Sequence, residues 1–336
     1  MLKGMISGPT VIPIAGGKGG IGKTILAANT AVTLAYAGFK TIAIDLDLGG
    51  SNLHFQLGLK NKYAGIGDFV RAKKDKLEAL LVPTEIENLS FIPGDGRTPF
   101  MANITVPDKV RLMEAITNLP AQFVVLDLGA GSSFNTLDFF RLSGTGVVVT
   151  TPEPTAIMNL MTFCKNLIYR AMSVEAKANT EITELVRDFI ERPIEEQGED
   201  LRTLFDQVSR VDLTISRRMR DVCSRIRPRL VFNRGSHPSQ LQVVASMEKI
   251  LQQRLGLKLD CLGFVFNDET VMEAIRRRTI LIKTFPQCLA SRCIVRLAKR
   301  ITRVWKGNIV NGRSRLLKDT QKVYNSWVLG EEGQLA

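Results

Sequence analysis

A glycine-rich loop near the N-terminus constrains this chain more than any other feature. Residues 16–24 read G-G-K-G-G-I-G-K-T and contain the pattern G-x-x-x-x-G-K-[ST]. An apolar segment at residues 11–15 precedes the loop, and an alanine-rich segment at residues 25–37 follows it. A loop between a strand and a helix N-terminus points several backbone N–H groups at one place, where the helix dipole also favours an anion. The pattern therefore predicts a phosphate loop, with a strand running directly into a helix.

The loop supplies the first candidate site residues. Lys23 is expected to meet the β- and γ-phosphates of a nucleotide, and Thr24 to offer its hydroxyl to Mg²⁺. The glycines let the backbone wrap around the phosphates without a clash of Cβ atoms. The candidate phosphate-binding residues are Gly17, Gly19, Gly20, Ile21, Gly22, Lys23 and Thr24.

Short apolar segments alternate with amphipathic ones along most of the chain. Strands are predicted at residues 11–15, 41–45, 89–93, 123–127, 146–151, 229–232 and 261–266. Helices are predicted at residues 25–37, 109–118, 155–172, 240–255 and 292–305. This alternation predicts an α/β fold of the P-loop NTPase kind, with a mostly parallel, doubly wound sheet. Ligands of such sheets bind at the carboxyl ends of the strands, where the loop, Asp47 and Asp127 fall.

The alternation stops between residues 173 and 227. Apolar residues from Ile182 to Ile190 follow helical spacing, and further helical segments follow at residues 201–211 and 213–226. We predict one domain at residues 1–306, interrupted by a helical insertion at 173–227 and followed by a helical tail at 307–336. The insertion is either a cap on one end of the sheet or a docking surface for a protein partner.

A second lysine in the loop indicates a family. Lys18 gives the sequence K-G-G-I-G-K-T, which resembles the deviant Walker A loop of the MinD/ParA family of ATPases. The segment T-T-P-E-P-T-A-I at residues 150–157 is similar to that of the MinD-like flagellar-number regulators (FlhG/FleN). The resemblance implies ATP and Mg²⁺ as ligands, slow hydrolysis, and an ATP-dependent homodimer in which Lys18 reaches the partner's nucleotide. From the residues alone, Lys18 could equally neutralise charge on its own nucleotide.

Three aspartates near strand ends are the remaining candidates for catalysis and metal binding. Asp127 precedes L-G-A-G, which resembles the family's switch II segment, and beside a phosphate loop it is predicted to hold Mg²⁺. Helix capping is the alternative role for Asp127. Asp45 and Asp47 match the D-x-D of switch I. The resemblance implies that Asp47 orients the attacking water and that Asp45 supports the metal shell.

The pair Asn233-Arg234 resembles the family's pair beside the nucleotide base, in which the asparagine reads adenine. An amide can donate to N7 of adenine and accept from N6 at once, although a structural cap is an alternative role for Asn233. The segment L-G-F-V-F-N-D at residues 262–268 resembles the family's L-G-x-[IV]-P-x-D, with Phe266 in place of the proline.

Charge is distributed unevenly along the chain, whose formal net charge is +12. Residues 175–206 hold four basic and ten acidic side chains, whereas residues 210–322 hold 25 basic and 8 acidic ones. The basic half favours an anionic partner, either DNA or an anionic membrane surface, or is a solvated face. The tail adds an apolar helical stripe next to basic residues, which either docks on the domain or lies on a membrane. The stripe consists of Leu316, Thr320, Val323, Tyr324, Trp327 and Val328.

The remaining composition favours a cytoplasmic protein, at most peripheral at the inner membrane. No run approaches the roughly 20 apolar residues of a membrane span, and the first ten residues lack the apolar core of a signal peptide. The leading interpretation is a MinD/FlhG-like ATPase switch that positions or regulates a partner in cell division or flagellar placement. The alternative is a ParA-type partition ATPase that binds DNA non-specifically. An iron–sulfur carrier of Mrp type is disfavoured, since the five cysteines form no C-x-x-C pair.

Overall fold

The site is built on one sheet, whose strands follow the predicted apolar segments. The computed structural model describes residues 8–71, 76–94, 104–191, 200–305, 307, 309 and 311–328. The strands are β1 (Thr10–Ala15), β2 (Thr41–Leu46), β3 (Val82–Pro83), β4 (Leu89–Ile92), β5 (Phe123–Leu128), β6 (Val147–Thr150), β7 (Arg229–Gly235) and β8 (Asp260–Phe266). Their order in the sheet is β3-β4-β2-β5-β1-β6-β7-β8. All neighbouring strands are parallel except β3 and β4, which confirms the predicted, mostly parallel sheet.

Helices connect the strands and cover the sheet. They are α1 (Lys23–Tyr36), α2 (Leu53–Gln56), α3 (Ile66–Val70), α4 (Val106–Thr117), α5 (Phe134–Phe140), α6 (Pro154–Ala176), α7 (Thr180–Glu191), α8 (Leu201–Val211), α9 (Leu213–Ser224), α10 (Val243–Leu255), α11 (Glu269–Arg277), α12 (Leu281–Thr284), α13 (Leu289–Val304) and α14 (Gly312–Val328). Every residue of β2 and β5 is buried, as expected for strands covered on both faces. No described helix is long and apolar enough to cross a membrane.

The predicted insertion is a set of three helices, α7 to α9, that packs on α6. The predicted start at residue 173 lies inside α6, which continues to Ala176. Residues 192–199 of the predicted insertion lie outside the described residues. The apolar faces of α7, α8 and α9 are buried, and Arg218 of α9 pairs with Glu175 of α6 at 3.1 Å. The two predicted roles, a cap on one end of the sheet and a docking surface for a partner, both stay predictions.

The tail helix α14 is docked on the domain. It packs on β8, the edge strand, and buries Leu316, Thr320 and Val323. The Tyr324 ring stacks on Phe266 with ring centroids 5.9 Å apart. The first part of the apolar stripe is therefore docked on the domain, whereas Trp327 and Val328 at its end are exposed. Residues 329–336 of the predicted tail lie outside the described residues.

Candidate nucleotide site

The phosphate loop joins β1 to α1, and two of its glycines leave no room for a side chain. Gly22 precedes the helix in a left-handed conformation (φ 87°), and a Cβ there would lie 2.2 Å from Nδ2 of Asn233. A Cβ on Gly17 would lie 2.1 Å from the backbone oxygen of Asn159 in α6. The loop is therefore held closely by β7 on one side and α6 on the other. Because α1 begins at Lys23, its free N–H groups face the space enclosed by the loop.

The two lysines of the loop lie in different environments. Lys23 is buried, and burial lowers its pKa although the carboxylates of Asp127 and Asp47 oppose the shift. Lys18 is exposed, and its Nζ lies 3.4 Å from Oγ1 of Thr155 in the first turn of α6. The buried lysine therefore faces its own site, whereas the exposed one lies against a neighbouring helix at the surface.

Asp127 is a buried carboxylate that accepts no hydrogen bond of ordinary geometry from the described residues. It is opposite Asp45 in the register of β2 and β5, and it is 1% exposed. Burial, and secondarily the Asp45 carboxylate, raise its pKa well above the ordinary value, while the neighbouring Thr24 hydroxyl and Lys23 offset part of the rise. A carboxylate left in this state needs a proton or a cation.

The donors around Asp127 fit Mg²⁺. This ion prefers oxygen ligands and usually keeps several waters, so that one or two protein groups together with phosphate oxygens suffice. Asp127 supplies an unused carboxylate, and the Thr24 hydroxyl lies beside it. Within the described ranges, no group of three or more His, Cys, Asp or Glu side chains is placed to hold a metal without such a ligand. The arrangement therefore suits a cation that arrives with a nucleotide.

Asp45 and Asp47, only two residues apart, have different surroundings. Asp45 is fully buried, and its two oxygens accept hydrogen bonds from the backbone N–H of Asp47 (3.1 Å) and Leu53 (3.0 Å). Burial raises the pKa of Asp45 to about 7 in spite of these bonds. Its contacts hold the segment between β2 and α2 in place.

Asp47 is half-buried and contacts the segment that follows Asp127. A Cβ built on Gly129 would lie 3.2 Å from Oδ1 of Asp47 and 3.8 Å from Oγ1 of Thr136. Gly131 in turn donates its N–H to the backbone oxygen of Gly16 at 3.1 Å. The segments after β2 and β5 therefore meet at the phosphate loop.

A cavity of about 330 Å³ opens beside the loop, next to the ends of β7 and β8. Asn233 donates Nδ2 to the backbone oxygen of Ile21 at 2.8 Å, and Arg234 follows in a left-handed conformation (φ 58°). Asp268 caps α11 by accepting from the N–H of Thr270, and its second oxygen accepts from the N–H of Ala290. The apolar walls come from Ile25, Leu26, Val265, Phe266, Val271, Met272, Ile275, Ala290 and Ile294. Such a mixture of apolar walls and a few polar groups suits a planar base.

The structure brings the predicted site residues together, with one difference in orientation. The phosphate loop, Asp47 and Asp127 meet at the carboxyl ends of β1, β2 and β5, and Asn233 contacts the loop from β7. Asp45 instead directs both oxygens at backbone N–H groups. Sequence reasoning missed the backbone contact of Asn159, which carries no side-chain signal. It also missed Met272, which lines this cavity, because no helix was predicted at residues 269–277.

The cysteines are free thiols, four of them buried and Cys288 partly buried. Burial raises the pKa of Cys261 to about 12 and that of Cys293 to about 11. Cys288 caps α13 by accepting from the N–H of Ser291.

Comparison with known proteins gives similarities over most of the chain. A family model described as the CobQ/CobB/MinD/ParA nucleotide binding domain matches residues 12–282. In Helicobacter pylori, the flagellum site-determining protein YlxH is 29% identical over 188 residues, 55% of this chain and 59% of YlxH. The septum site-determining protein MinD of the same organism is 30% identical over 148 residues, 44% of this chain and 54% of that protein. The antiactivator FleN of Pseudomonas aeruginosa is 22% identical over 294 residues, 87% of this chain and 85% of FleN.

The extent of these matches differs between sequence and structure. The chain spans about half the length of the first curated relatives it matches, with 52%, 48% and 54% of their lengths covered. Among solved structures, septum site-determining protein MinD from Pyrococcus horikoshii, complexed with Mg-ADP, superposes with a TM-score of 0.60 at 17% identity. That match covers 90% of this chain and 100% of the other, and at this identity it shows the fold alone.

Proposed function

Because this chain belongs to the CobQ/CobB/MinD/ParA nucleotide-binding family, we propose that it is an ATPase of MinD/FlhG type that works as a dimerisation switch. It binds ATP with Mg²⁺, forms a homodimer in the ATP state and returns to the monomer after slow hydrolysis. The relatives named septum site-determining, flagellum site-determining and antiactivator support an output in the placement or regulation of a cellular partner. That partner is proposed to be a protein that distinguishes the two nucleotide states in the cytoplasm.

The contrast between the two loop lysines carries the proposal. Lys23 is buried opposite Asp127 and Asp47, where it neutralises phosphate charge within its own subunit. Lys18 lies at the surface and rests on the hydroxyl of Thr155 at 3.4 Å, a long contact that costs little free energy to break. Because Lys18 does not occupy the nucleotide site of its own subunit, its ammonium group is available to the nucleotide of a facing subunit. A phosphate loop with a single lysine would offer no separate cation for the nucleotide of a facing subunit.

The roles of the carboxylates follow from their surroundings. Asp47 is half-buried beside Gly129 and is proposed to orient the water that attacks the γ-phosphate. Thr24 and Asp127 would hold Mg²⁺, which when bound neutralises charge on the phosphates. Asp45 supports this site indirectly, since it fixes the backbone of Asp47. Asn233 and Arg234 line the cavity proposed for adenine.

Three single variants test the proposal. Lys23→Ala is expected to lose ATP binding in calorimetry. Lys18→Ala is expected to bind ATP but remain monomeric in size-exclusion chromatography with light scattering. Asp47→Ala is expected to bind ATP, lose hydrolysis and accumulate as a dimer. Lys40→Ala, which removes an exposed lysine remote in sequence from the loop, is the matched control and should behave as the wild type.

The outcomes separate the parts of the proposal. Unchanged ATP affinity in Lys23→Ala would refute the nucleotide site itself. ATP-dependent dimers of normal stability in Lys18→Ala would leave the ATPase intact and refute the role of Lys18 between subunits.

A further inference from the structure

The tail helix α14 packs behind the two backbone segments that border the cavity proposed for the base. Asn233 and Arg234 line this cavity near the end of β7, and residues 265–268 line it at the end of β8. Helix α14 contacts β8 and also the short 3₁₀ helix Pro238–Gln242, which follows β7. None of the α14 residues that the structure describes lines the cavity itself. The tail therefore supports both walls of the cavity from outside.

Tyr324 is the α14 residue that connects these two segments. Its ring stacks on Phe266 at the end of β8, with ring centroids 5.9 Å apart and an interplanar angle of 26°. The same ring meets His237, two residues beyond β7, edge-on at 4.8 Å. Both geometries are favourable ones for aromatic pairs. Because Phe266 stands where the resemblance leads to a proline, which has no aromatic ring, this connection is a feature of this chain.

The two segments also hold each other. The backbone N–H of Asn267 donates to the backbone oxygen of Gly235 at 2.8 Å. Gly235 has no room for a side chain, since a Cβ there would overlap the ring of Phe264. The Phe264 ring in turn packs against the ring of Phe266, with centroids 4.9 Å apart. A displacement of the Phe266 ring would therefore also shift Gly235 and the adjacent Arg234, which lines the cavity.

The pairing of β7 with β8 is irregular beside the cavity. The register shifts between Phe232 and Gly235, and Arg234 within this stretch adopts a left-handed conformation (φ 58°). That conformation is unfavourable for a residue with a side chain and persists where the surrounding contacts hold it. An irregular ladder fixes these residues less firmly than a regular one. The packing of aromatic rings around Gly235 and Phe266 therefore contributes to the position of the cavity walls.

We propose that Tyr324 is a positioning residue for the nucleotide base. By packing on Phe266 and His237, it holds the two walls of the cavity at the separation that fits the base, without touching the nucleotide. This inference rests on the proposed function, since it takes the cavity as the site of the base. Recognition of the phosphates should not depend on Tyr324, because the phosphate loop is bordered by α6 and β7 rather than by α14.

The test compares two probes, ADP and inorganic tripolyphosphate, whose affinities for the full chain are measured by calorimetry with Mg²⁺ present. ADP carries the base, whereas tripolyphosphate engages only the phosphate loop. Tyr324→Ala should weaken ADP binding roughly 5–20-fold, in the lower part of the range for coupling between separate sites. Its affinity for tripolyphosphate should be unchanged. With ATP, the variant should raise KM by a similar factor at constant kcat, because the lost binding is common to substrate and transition state.

Two control variants separate positioning of the base from stability of the tail. Tyr324→Phe keeps the ring that makes both contacts and should bind ADP as the wild type does. Leu316→Ala removes a buried side chain of α14 eight residues earlier, about 12 Å away along the helix. It should loosen the docking of α14 without changing the affinity for ADP. If Tyr324→Ala does not fold, Tyr324→Leu replaces it and should weaken ADP binding about threefold or more.

The outcomes distinguish this inference from the proposed function. Unchanged ADP affinity in the Tyr324 variant that folds, beside normal binding by the wild type, would overturn the inference and leave the proposed function intact. An equal loss for ADP and tripolyphosphate, or an equal loss in Leu316→Ala, would reduce Tyr324 to a structural residue and refute its positioning role. A wild-type protein that binds tripolyphosphate but not ADP would refute the base cavity, and with it both the proposed function and this inference.

Discussion

A buried ion-pair cluster joins α4, α5 and α6 next to the segment that follows Asp127. Its centre is Asp138 of α5, which is 2.5 Å from Nζ of Lys109 and 2.7 Å from Nε of Arg170. The side chains of Asp138 and Lys109 are 8% and 7% exposed. Asp138→Asn keeps the shape of the side chain but removes its charge. It therefore leaves two cations facing a neutral amide in a site with little solvent.

The burial of this ion pair sets the size of the expected loss in unfolding free energy. Removing one partner of a buried ion pair costs about 3–5 kcal/mol of unfolding free energy, because the remaining charge is desolvated without compensation. The chain supplies a matched control in Asp221 and Arg225, which pair at 2.6 Å with 54% and 72% of their side chains exposed. Asp221→Asn should cost about 0–1 kcal/mol, since water screens that pair. The expected difference between the two variants is therefore at least about 2 kcal/mol.

Urea unfolding followed by circular dichroism measures both variants. Burial alone would raise the pKa of Asp138, but hydrogen bonds from Arg170 and Lys109 outweigh it and hold the pKa below its ordinary value of 3.8. A depressed folded-state pKa stabilises the protein above the unfolded value, and that stability is lost as the pH falls through the folded value. The gap between wild type and Asp138→Asn should therefore shrink below about pH 4. A loss no larger than that of Asp221→Asn at pH 7 would refute the reasoning.

Two further perturbations test the site and the tail. Asp127→Asn should abolish Mg²⁺-dependent hydrolysis yet stabilise the nucleotide-free protein at pH 8.5. Because the pKa of Asp127 is raised, wild-type stability is greatest below the ordinary value of 3.8 and is lost as the pH rises through the folded value. Thermal melts in metal-free buffer should place the variant about 2–4 °C above wild type at pH 8.5, and the gap should narrow as the pH falls toward the ordinary value of 3.8; a variant that melts lower at pH 8.5 would contradict the assignment. Tyr324→Ala should lower the free energy of unfolding by about 1–3 kcal/mol and expose α14 to limited proteolysis, and an unchanged cleavage pattern would argue against docking through Tyr324.

The sequence predicts those structural elements whose conformation is set by the residues of the same segment. Strands such as β2 and β5 are continuous apolar runs, because helices cover both of their faces. In the phosphate loop, Gly17 and Gly22 are required because other backbone or side-chain atoms occupy the space of a Cβ. The two-residue strand β3 was missed, since Val82 and Pro83 pair with β4 only through the tertiary arrangement. Helix α6 continues past residue 173, the predicted start of the insertion, because the same helical spacing runs on to Ala176.

The orientation of the site carboxylates could not be predicted from spacing. Asp45 and Asp47 are chemically identical and belong to one D-x-D motif, so their spacing alone does not tell their orientations apart, although the family resemblance implies different roles. The distinction arises because β2 ends at Leu46, which leaves Asp47 beyond the sheet while Asp45 lies inside it opposite Asp127. The backbone N–H groups of Asp47 and Leu53 then each donate a hydrogen bond to one carboxylate oxygen of Asp45. The ion-pair cluster around Asp138 was missed for a similar reason, since Asp138 is 29 residues from Lys109 and 32 residues from Arg170 in the chain.

The tail shows how strand order decides between two interpretations of one apolar stripe. The stripe of α14 satisfies equally well the pattern of a membrane-bound helix and that of a helix docked on a domain. Strand order places β8 at the edge of the sheet, and an edge strand needs a cover. Phe266, which replaces the proline expected from the resemblance, ends β8 and provides the ring on which Tyr324 stacks. The same Phe266 also lines the cavity proposed for the base, so a single departure from the motif connects the tail to the nucleotide site.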